Sequence, residues 1–281
     1  MIECSPCLLI SASLLLTFIL LYRVSQSFRY YSRVTFFYLC IFLHGMECCV
    51  TQIPFYFLGW GAYWIFYSFY YWCWWTGIRV EVRDFDKHLE HLKGPAIVVC
   101  NHQSAIDVFS MSAVFPPRGT VMMKKSLQWI PFFNITSWLA RSIYIDRFNR
   151  EKALEQVEYC SKLVLERKLK VWVFPEGTRY RDQGMLPFKK GAFNIAVKAQ
   201  VPIVPIVCSN YSPFYSKKDK YFHSDGEVII QVLPAVETQG LSLDDVNDLC
   251  ERVRNDMLKA YDKITPEAAE RMATKRAKKQ Q

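Results

Sequence analysis

Long stretches without a single charge crowd the first 78 residues, and they constrain this chain more than any other feature. Cys7 to Tyr22 is an uncharged run of 16 residues, rich in Leu and Ile. Val34 to Val50 is a second apolar run, interrupted by His44 and Glu47, and Ile53 to Ile78 is a third, 26 residues long without a charge. About 20 apolar residues cross a bilayer as a helix, so the first run, extended by Ser5 and Pro6, predicts one transmembrane helix over 7–22. A cleaved leader fits poorly, because Glu3 precedes the run without Lys or Arg and no small-residue cleavage site follows. The second and third runs are separated only by Thr51 and Gln52 and predict a hydrophobic helical hairpin over 34–78. Five Tyr or Trp between Tyr70 and Trp75 place the exit of that hairpin near headgroup depth, where these side chains concentrate.

From Arg79 onward the charge density is that of a globular domain, and the net charge of +9 is unevenly placed. Arg271, Lys275, Arg276, Lys278 and Lys279 lie in the last eleven residues, and Arg23, Arg29 and Arg33 lie between the first two apolar runs. Without these eight the body is close to neutral. That excludes nucleic acid as a partner, since no basic, aromatic-interleaved groove remains. Positive residues stay cytoplasmic beside membrane spans. The loop carrying Arg23, Arg29 and Arg33 is therefore expected on the cytoplasmic side with the catalytic body and C-terminus, and the N-terminus on the other side. The ten cysteines are scattered, and Cys4-x-x-Cys7 has no partner pair, so packed, reduced thiols are expected and no metal site.

The body alternates short apolar runs with helical patterns. Runs at 78–83, 96–100, 119–123, 143–146, 171–174, 203–208 and 227–233 read as strands, and 104–114, 150–167, 189–200 and 242–262 as helices. The alternation predicts an α/β fold, a mixed sheet flanked by helices, behind an N-terminal hydrophobic helical membrane anchor. The organisation expected is an anchor over 1–78, a catalytic domain over 79–265 and a basic tail over 266–281.

Polar residues with chemistry follow the strands, where open α/β sheets place their ligands. After AIVVC comes Asn101-His102-Gln103-Ser104-Ala105-Ile106-Asp107. With His102 in the loop and Asp107 in the first helical turn, the carboxylate can orient the imidazole while the other ring nitrogen accepts a proton. Ser104-x-x-Asp107 also fits a capping box, in which Asp107 merely satisfies backbone donors. After KVWVF comes Pro175-Glu176-Gly177-Thr178-Arg179, a turn whose arginine suits a phosphate, with Lys189-Lys190-Gly191 opening a helix nearby. Ile143-Tyr144-Ile145 ends in the pair Asp146-Arg147. Val201-Pro202-Ile203-Val204-Pro205-Ile206-Val207 carries two prolines, which favour an edge strand or a tunnel wall over a central ladder.

The four blocks NHQSAID, IYIDR, FPEGTR and VPIVPIV, in this order and spacing, resemble the lysophosphatidic acid acyltransferase family of NH-x4-D glycerolipid acyltransferases. The resemblance covers about residues 72–210 and includes the flanking MMKKSLQWIPFF and MLPFKKGAF. It implies the glycerolipid acyltransferase fold, with His102 as general base, Asp107 as its orienting partner and Glu176 shaping the catalytic pocket. It further implies Gly177 in the tight turn and Arg179 on the acceptor phosphate, assisted by Arg147 and Lys125. One position departs: relatives often carry glycine before the second block, where this chain has Arg141.

The implied reaction moves an acyl group from acyl-CoA, a substrate, to lysophosphatidate with no cofactor and with membrane lipid as surroundings. Another lysophospholipid or glycerol 3-phosphate as acceptor, or an idle lipid-binding protein of the same fold, are the rival readings. The ending Lys278-Lys279-Gln280-Gln281 resembles the dilysine address of endoplasmic-reticulum membrane proteins, which implies that membrane with a cytoplasmic C-terminus.

Overall fold

A computed structural model describes residues 6–145, 153–180 and 182–280. The chain opens with α1 (Pro6–Val24), α2 (Gln26–Thr51), the short α3 (Ile53–Phe57) and α4 (Gly61–Trp72). The body follows as β1 (Arg79–Arg83), β2 (Ala96–Cys100), α5 (Asp107–Ser112), β3 (Gly119–Lys124), α6 (Phe133–Leu139), β4 (Ile143–Ile145), α7 (Ala153–Glu166) and β5 (Lys170–Val173). It ends with α8 (Gly191–Ala199), β6 (Ile203–Cys208), a β7–β8 hairpin (Tyr215–Ser216 and Tyr221–Phe222), β9 (Glu227–Val232) and α9 (Val246–Gln280). Seven strands form one sheet in the order β1-β9-β6-β2-β5-β3-β4. Every neighbouring pair is parallel except β6 and β9. The sheet is therefore mixed, and each expected run supplies one of its strands.

Strands buried on both faces have no reason to alternate apolar with polar residues, and β2 and β6 are buried at every position. Their side chains still divide by face. Val98, Cys100, Trp172, Val204 and Ile206 join a core that includes Tyr30, Phe37, Phe69 and Phe109 from α2, α4 and α5. Ile97, Val99, Val171, Ile203 and Val207 join a second core with Val164, Phe193, Val253 and Met257 from α7, α8 and α9. Each fully buried Val or Ile contributes roughly 1.5–3 kcal/mol, and these positions are what hold the layers together.

The apolar N-terminal segment is thus not a separate anchor attached at residue 78. From α2 onward it is one of the two layers covering the sheet. Tyr30, Arg33, Phe37, Cys40, His44 and Cys48 form the buried stripe of α2 at helical spacing, while Phe36, Leu39, Leu43, Met46 and Val50 on the other side are bare. The expected loop around Arg23, Arg29 and Arg33 does not form, since only Ser25 separates α1 from α2. Ser25 caps α2 by accepting from the Phe28 amide. Arg29 turns back to donate to the Tyr22 and Arg23 carbonyls. Arg33 is buried between the rings of Trp75 and Phe222 and donates to the Thr76 carbonyl at 2.7 Å. Charges that sequence places in a loop are here absorbed by a helix end and by aromatic faces. Two helices, over Cys7–Val24 and Gln26–Thr51, are long and apolar enough to cross a membrane, and the first is wholly unburied.

Two more expectations are corrected. The proline-bearing run is neither an edge nor a tunnel wall, since β6 lies between β9 and β2. The Pro205 carbonyl accepts from Leu233, so the N–H it lacks would point to that same side. There the β9 ladder stops at Ile206–Val232 and only a lone bridge, Ile203–Val236, follows. Pro205 thus keeps the accepting half of its pairing with Leu233 and forfeits only the donating half, at the last rung of that ladder. Residues after 265 do not form a separate tail, because α9 continues through Pro266 to Gln280. Its basic residues pair with the body: Arg271 with Glu81, Lys275 with Glu227 at 2.9 Å and Arg276 with Asp225 at 2.6 Å.

Candidate active site

β2 and β5 are parallel neighbours, so the loops after them leave the same edge of the sheet side by side. Asn101 fixes the first loop: its side chain donates to the Cys208 carbonyl at 2.9 Å and accepts from the Cys208 amide at 2.8 Å, tying the ends of β2 and β6 together. The Gln103 carboxamide donates to the Cys208 and Ser209 carbonyls and accepts from the Tyr211 amide. Between these two anchors stands His102, its side chain 20% exposed.

His102 Nδ1 lies 2.7 Å from Asp107 Oδ2, and Asp107 is 4% exposed. The same oxygen accepts from the Gln103 and Ser104 amides, each at 2.8 Å, while the Ser104 hydroxyl accepts from the Ile106 amide. The capping and orienting readings of Asp107 therefore both hold, with one oxygen serving both. With Nδ1 engaged by the carboxylate, Nε2 is the ring nitrogen left for proton transfer. The ring is stacked on Phe174, with centroids 4.2 Å apart, which fixes its plane.

The second loop supports the first from below. Glu176 Oε1 accepts from the His102 amide at 2.7 Å and Oε2 from the Leu186 amide at 2.9 Å, and the His102 carbonyl accepts from the Tyr180 amide. Burial pushes the Glu176 carboxyl above its usual range, and the two amides offset only part of that. Glu176 thus holds the backbone of His102 and Leu186 together. Gly177 has φ +71°, so the turn favours glycine for its backbone; a Cβ there would also meet the flexible end of the Lys189 side chain at 2.7 Å, which can swing aside.

Arg179 is exposed next to Tyr180, whose amide reaches His102, and makes no ion pair among the described residues. Lys125 is exposed just beyond the end of β3, on the same edge of the sheet. Arg147 lies outside the described residues. Sequence reasoning did not assign Phe174, Gln103 or Lys189. Phe174 and Lys189 flank the FPEGTR turn, but their stacking and covering roles depend on β2 lying beside β5. Among the described residues no three His, Cys, Asp or Glu side chains converge as metal ligands would. A cleft of about 470 Å³ opens beside Gln103 and Ser104 and is lined farther out by Lys217 and Lys218 with Asp182 and Asp219.

A His–Asp pair thus stands at the carboxyl edge of a mixed sheet, one face of which is covered by apolar helices with a bare outer side. Residues 79–209 match the Acyltransferase family model. The chain is 51% identical over 257 residues to acl-2 of Caenorhabditis elegans, named among the 1-acyl-sn-glycerol-3-phosphate acyltransferases, covering 92% of this chain and 90% of that one. It is 46% identical over 189 residues to the human alpha 1-acyl-sn-glycerol-3-phosphate acyltransferase, covering 67% and 66%. Its fold matches the crystal structure of the Thermotoga maritima 1-acyl-sn-glycerophosphate acyltransferase at TM-score 0.61 and 19% identity, over 83% of this chain and 97% of that one. The chain belongs to the 1-acyl-sn-glycerol-3-phosphate acyltransferase family and is an enzyme.

Proposed function

We propose that this enzyme transfers an acyl group from acyl-CoA to the sn-2 hydroxyl of 1-acyl-sn-glycerol 3-phosphate, giving phosphatidate for phospholipid synthesis. The observation that carries the reading is the His102 imidazole tied through Nδ1 to Asp107 and left with Nε2 to act. Nε2 takes the hydroxyl proton as the acceptor oxygen attacks the thioester carbonyl. The tetrahedral oxyanion collapses, the C–S bond breaks, and the imidazolium returns its proton to the CoA thiolate. Asp107 stays ionised and stabilises the imidazolium. A covalent acyl-cysteine is disfavoured, because burial pushes the Cys100 thiol, the closest cysteine in sequence to His102, well above its ordinary range.

Arg179 is exposed beside this cluster and suits the acceptor phosphate, with Lys125 on the same sheet edge. The bare apolar face of α2 and the unburied α1 favour an acceptor drawn from the bilayer. The exposed lysines at the C-terminus support residence in the endoplasmic reticulum, with the catalytic body facing the cytoplasm.

Thin-layer analysis of labelled lysophosphatidate with acyl-CoA and purified full-length protein tests the reaction. We expect phosphatidate from the native enzyme and a rate lower by a factor on the order of 10²–10⁴ for His102→Ala. Near-normal turnover in that variant would remove His102 from the chemistry. Faster acylation of glycerol 3-phosphate, or of a lysolipid with a larger headgroup, would reassign the acceptor.

A further inference from the structure

The opposite end of the same sheet carries a second cationic cluster that the transfer reaction does not use. Arg118 immediately precedes β3, Arg141 lies two residues before β4, and Arg167 lies shortly before β5. The three line one pocket of about 280 Å³, whose other wall is the α3–α4 turn with Phe57 and Leu58. His102 and Glu176 stand beyond the carboxyl ends of these parallel strands. At about 3.3 Å per residue, the two sites are separated by the full length of β5, roughly 13 Å or more.

Among the described residues no carboxylate forms an ion pair with these arginines; the arginine ion pairs engage Arg83, Arg271 and Arg276 instead. Arg141 is held against the wall by one hydrogen bond to the Tyr56 carbonyl at 3.0 Å and lies over the Tyr56 ring at 5.0 Å. Burial first, and then the Arg118 guanidinium, push the buried Lys170 amine below its ordinary value, with only Glu90 acting the other way. Lys170 therefore adds to the positive surroundings of Arg118.

Two of the three arginines stand where a side chain is disfavoured. Arg118 has φ +57° and Arg141 φ +53°, a conformation glycine adopts freely and arginine only at a cost. The mouth is apolar rather than watery: Phe57 is 78% and Leu58 68% exposed, and Trp60 and Trp138 are bare nearby.

We propose that the Arg118–Arg141–Arg167 pocket binds the phosphate headgroup of an anionic membrane phospholipid, whose acyl chains lie over the Phe57–Leu58 turn. Guanidinium forks suit phosphate oxygens, and the bare turn supplies the surface a soluble phosphate would not need. The site docks the body onto anionic lipid independently of the acceptor site.

The test is isothermal titration of the full-length protein in neutral detergent with dioctanoyl phosphatidylglycerol, dioctanoyl phosphatidylcholine and inorganic phosphate. Phosphatidylglycerol should bind about tenfold or more tightly than phosphatidylcholine, the range expected for charge-assisted hydrogen bonds. Arg141→Gly suits the backbone conformation and leaves the fold intact, and Arg167→Gln alters an exposed side chain. Each should lower that preference, and an Arg118→Ala/Arg141→Gly double variant should abolish it while acyl transfer in micelles is unchanged. Equal affinity for the two lipids would overturn the proposal, as would a preference that survives the double variant. Inorganic phosphate binding as tightly as phosphatidylglycerol would overturn the lipid as occupant.

Discussion

Asp107 Oδ2 accepts from an imidazole and two backbone amides at once, while its Oδ1 is buried without a partner. That asymmetry makes Asp107→Asn a clean separation of charge from shape. The amide oxygen can take the place of Oδ2 and keep all three donors, with the NH2 group at the empty position. The loop should stay folded, with a small shift in the unfolding midpoint, while kcat falls on the order of 10²–10⁴ because no charge stabilises the imidazolium. An unchanged kcat with a large loss of stability would reduce Asp107 to a cap. At this scale the sequence was legible where chemistry and local structure share residues. NH-x4-D named His102 and Asp107, and FPEGTR named Glu176 and Gly177. Glu176 holding the His102 amide was hidden, since the two are 74 residues apart and meet only through strand pairing.

The elements α2 and α9 differ most from their sequence appearance. α2 has 26 residues, roughly 39 Å of helix, enough to cross a bilayer. Its first turn, however, donates from Gln26 to the Asp219 carbonyl, its middle packs Phe37 on Phe69, and its last turns pack Phe42 on Phe132. One folded body touches both ends, so we expect those ends on the same side of the membrane. A glycosylation acceptor inserted at the α2–α3 junction, at Gln52, should remain unmodified in microsomes, and efficient modification there would show that α2 crosses. α9 is held at its far end by the ion pairs of Arg271, Lys275 and Arg276. Arg83 first, with Arg271, holds Glu267 of α9 down to about 2, Arg271 and Arg83 depress Glu81, and Arg276 depresses Asp225. Lowered carboxyl values mean stability that is present above about pH 4.5 and lost as pH falls through the folded values. Hydrogen exchange at residues 267–278 should therefore accelerate below about pH 4, and sooner in high salt, while the α9 amides near Val253 stay protected. Uniform exchange along α9 at all pH values would remove the clasp.

At the scale of the whole molecule, an apolar helical layer and a catalytic layer share one sheet, and the chain ends in exposed lysines on a docked helix. Lys278 and Lys279 lie past the last body contact by Arg276 and are exposed. A receptor-read address needs lysines at fixed places from the terminus, whereas attraction to anionic lipid needs only charge, about 1 kcal/mol per residue near the surface. If the proposed reticular residence rests on that address, appending a few residues after Gln281 lets some protein leave that membrane. Unchanged reticular staining would leave the apolar helices as the signal. The sequence by itself determined the alternation of strands and helices, the order of the chemical blocks and the apolar character of the N-terminus. Those follow from hydrophobic period and local residue chemistry, which each segment carries alone. Only the tertiary structure decided that α2 covers the sheet, that β6 is central despite its prolines, and that Arg118, Arg141 and Arg167 share a pocket. Those depend on which faces meet, and a burial partner distant in the chain leaves no mark on the local pattern.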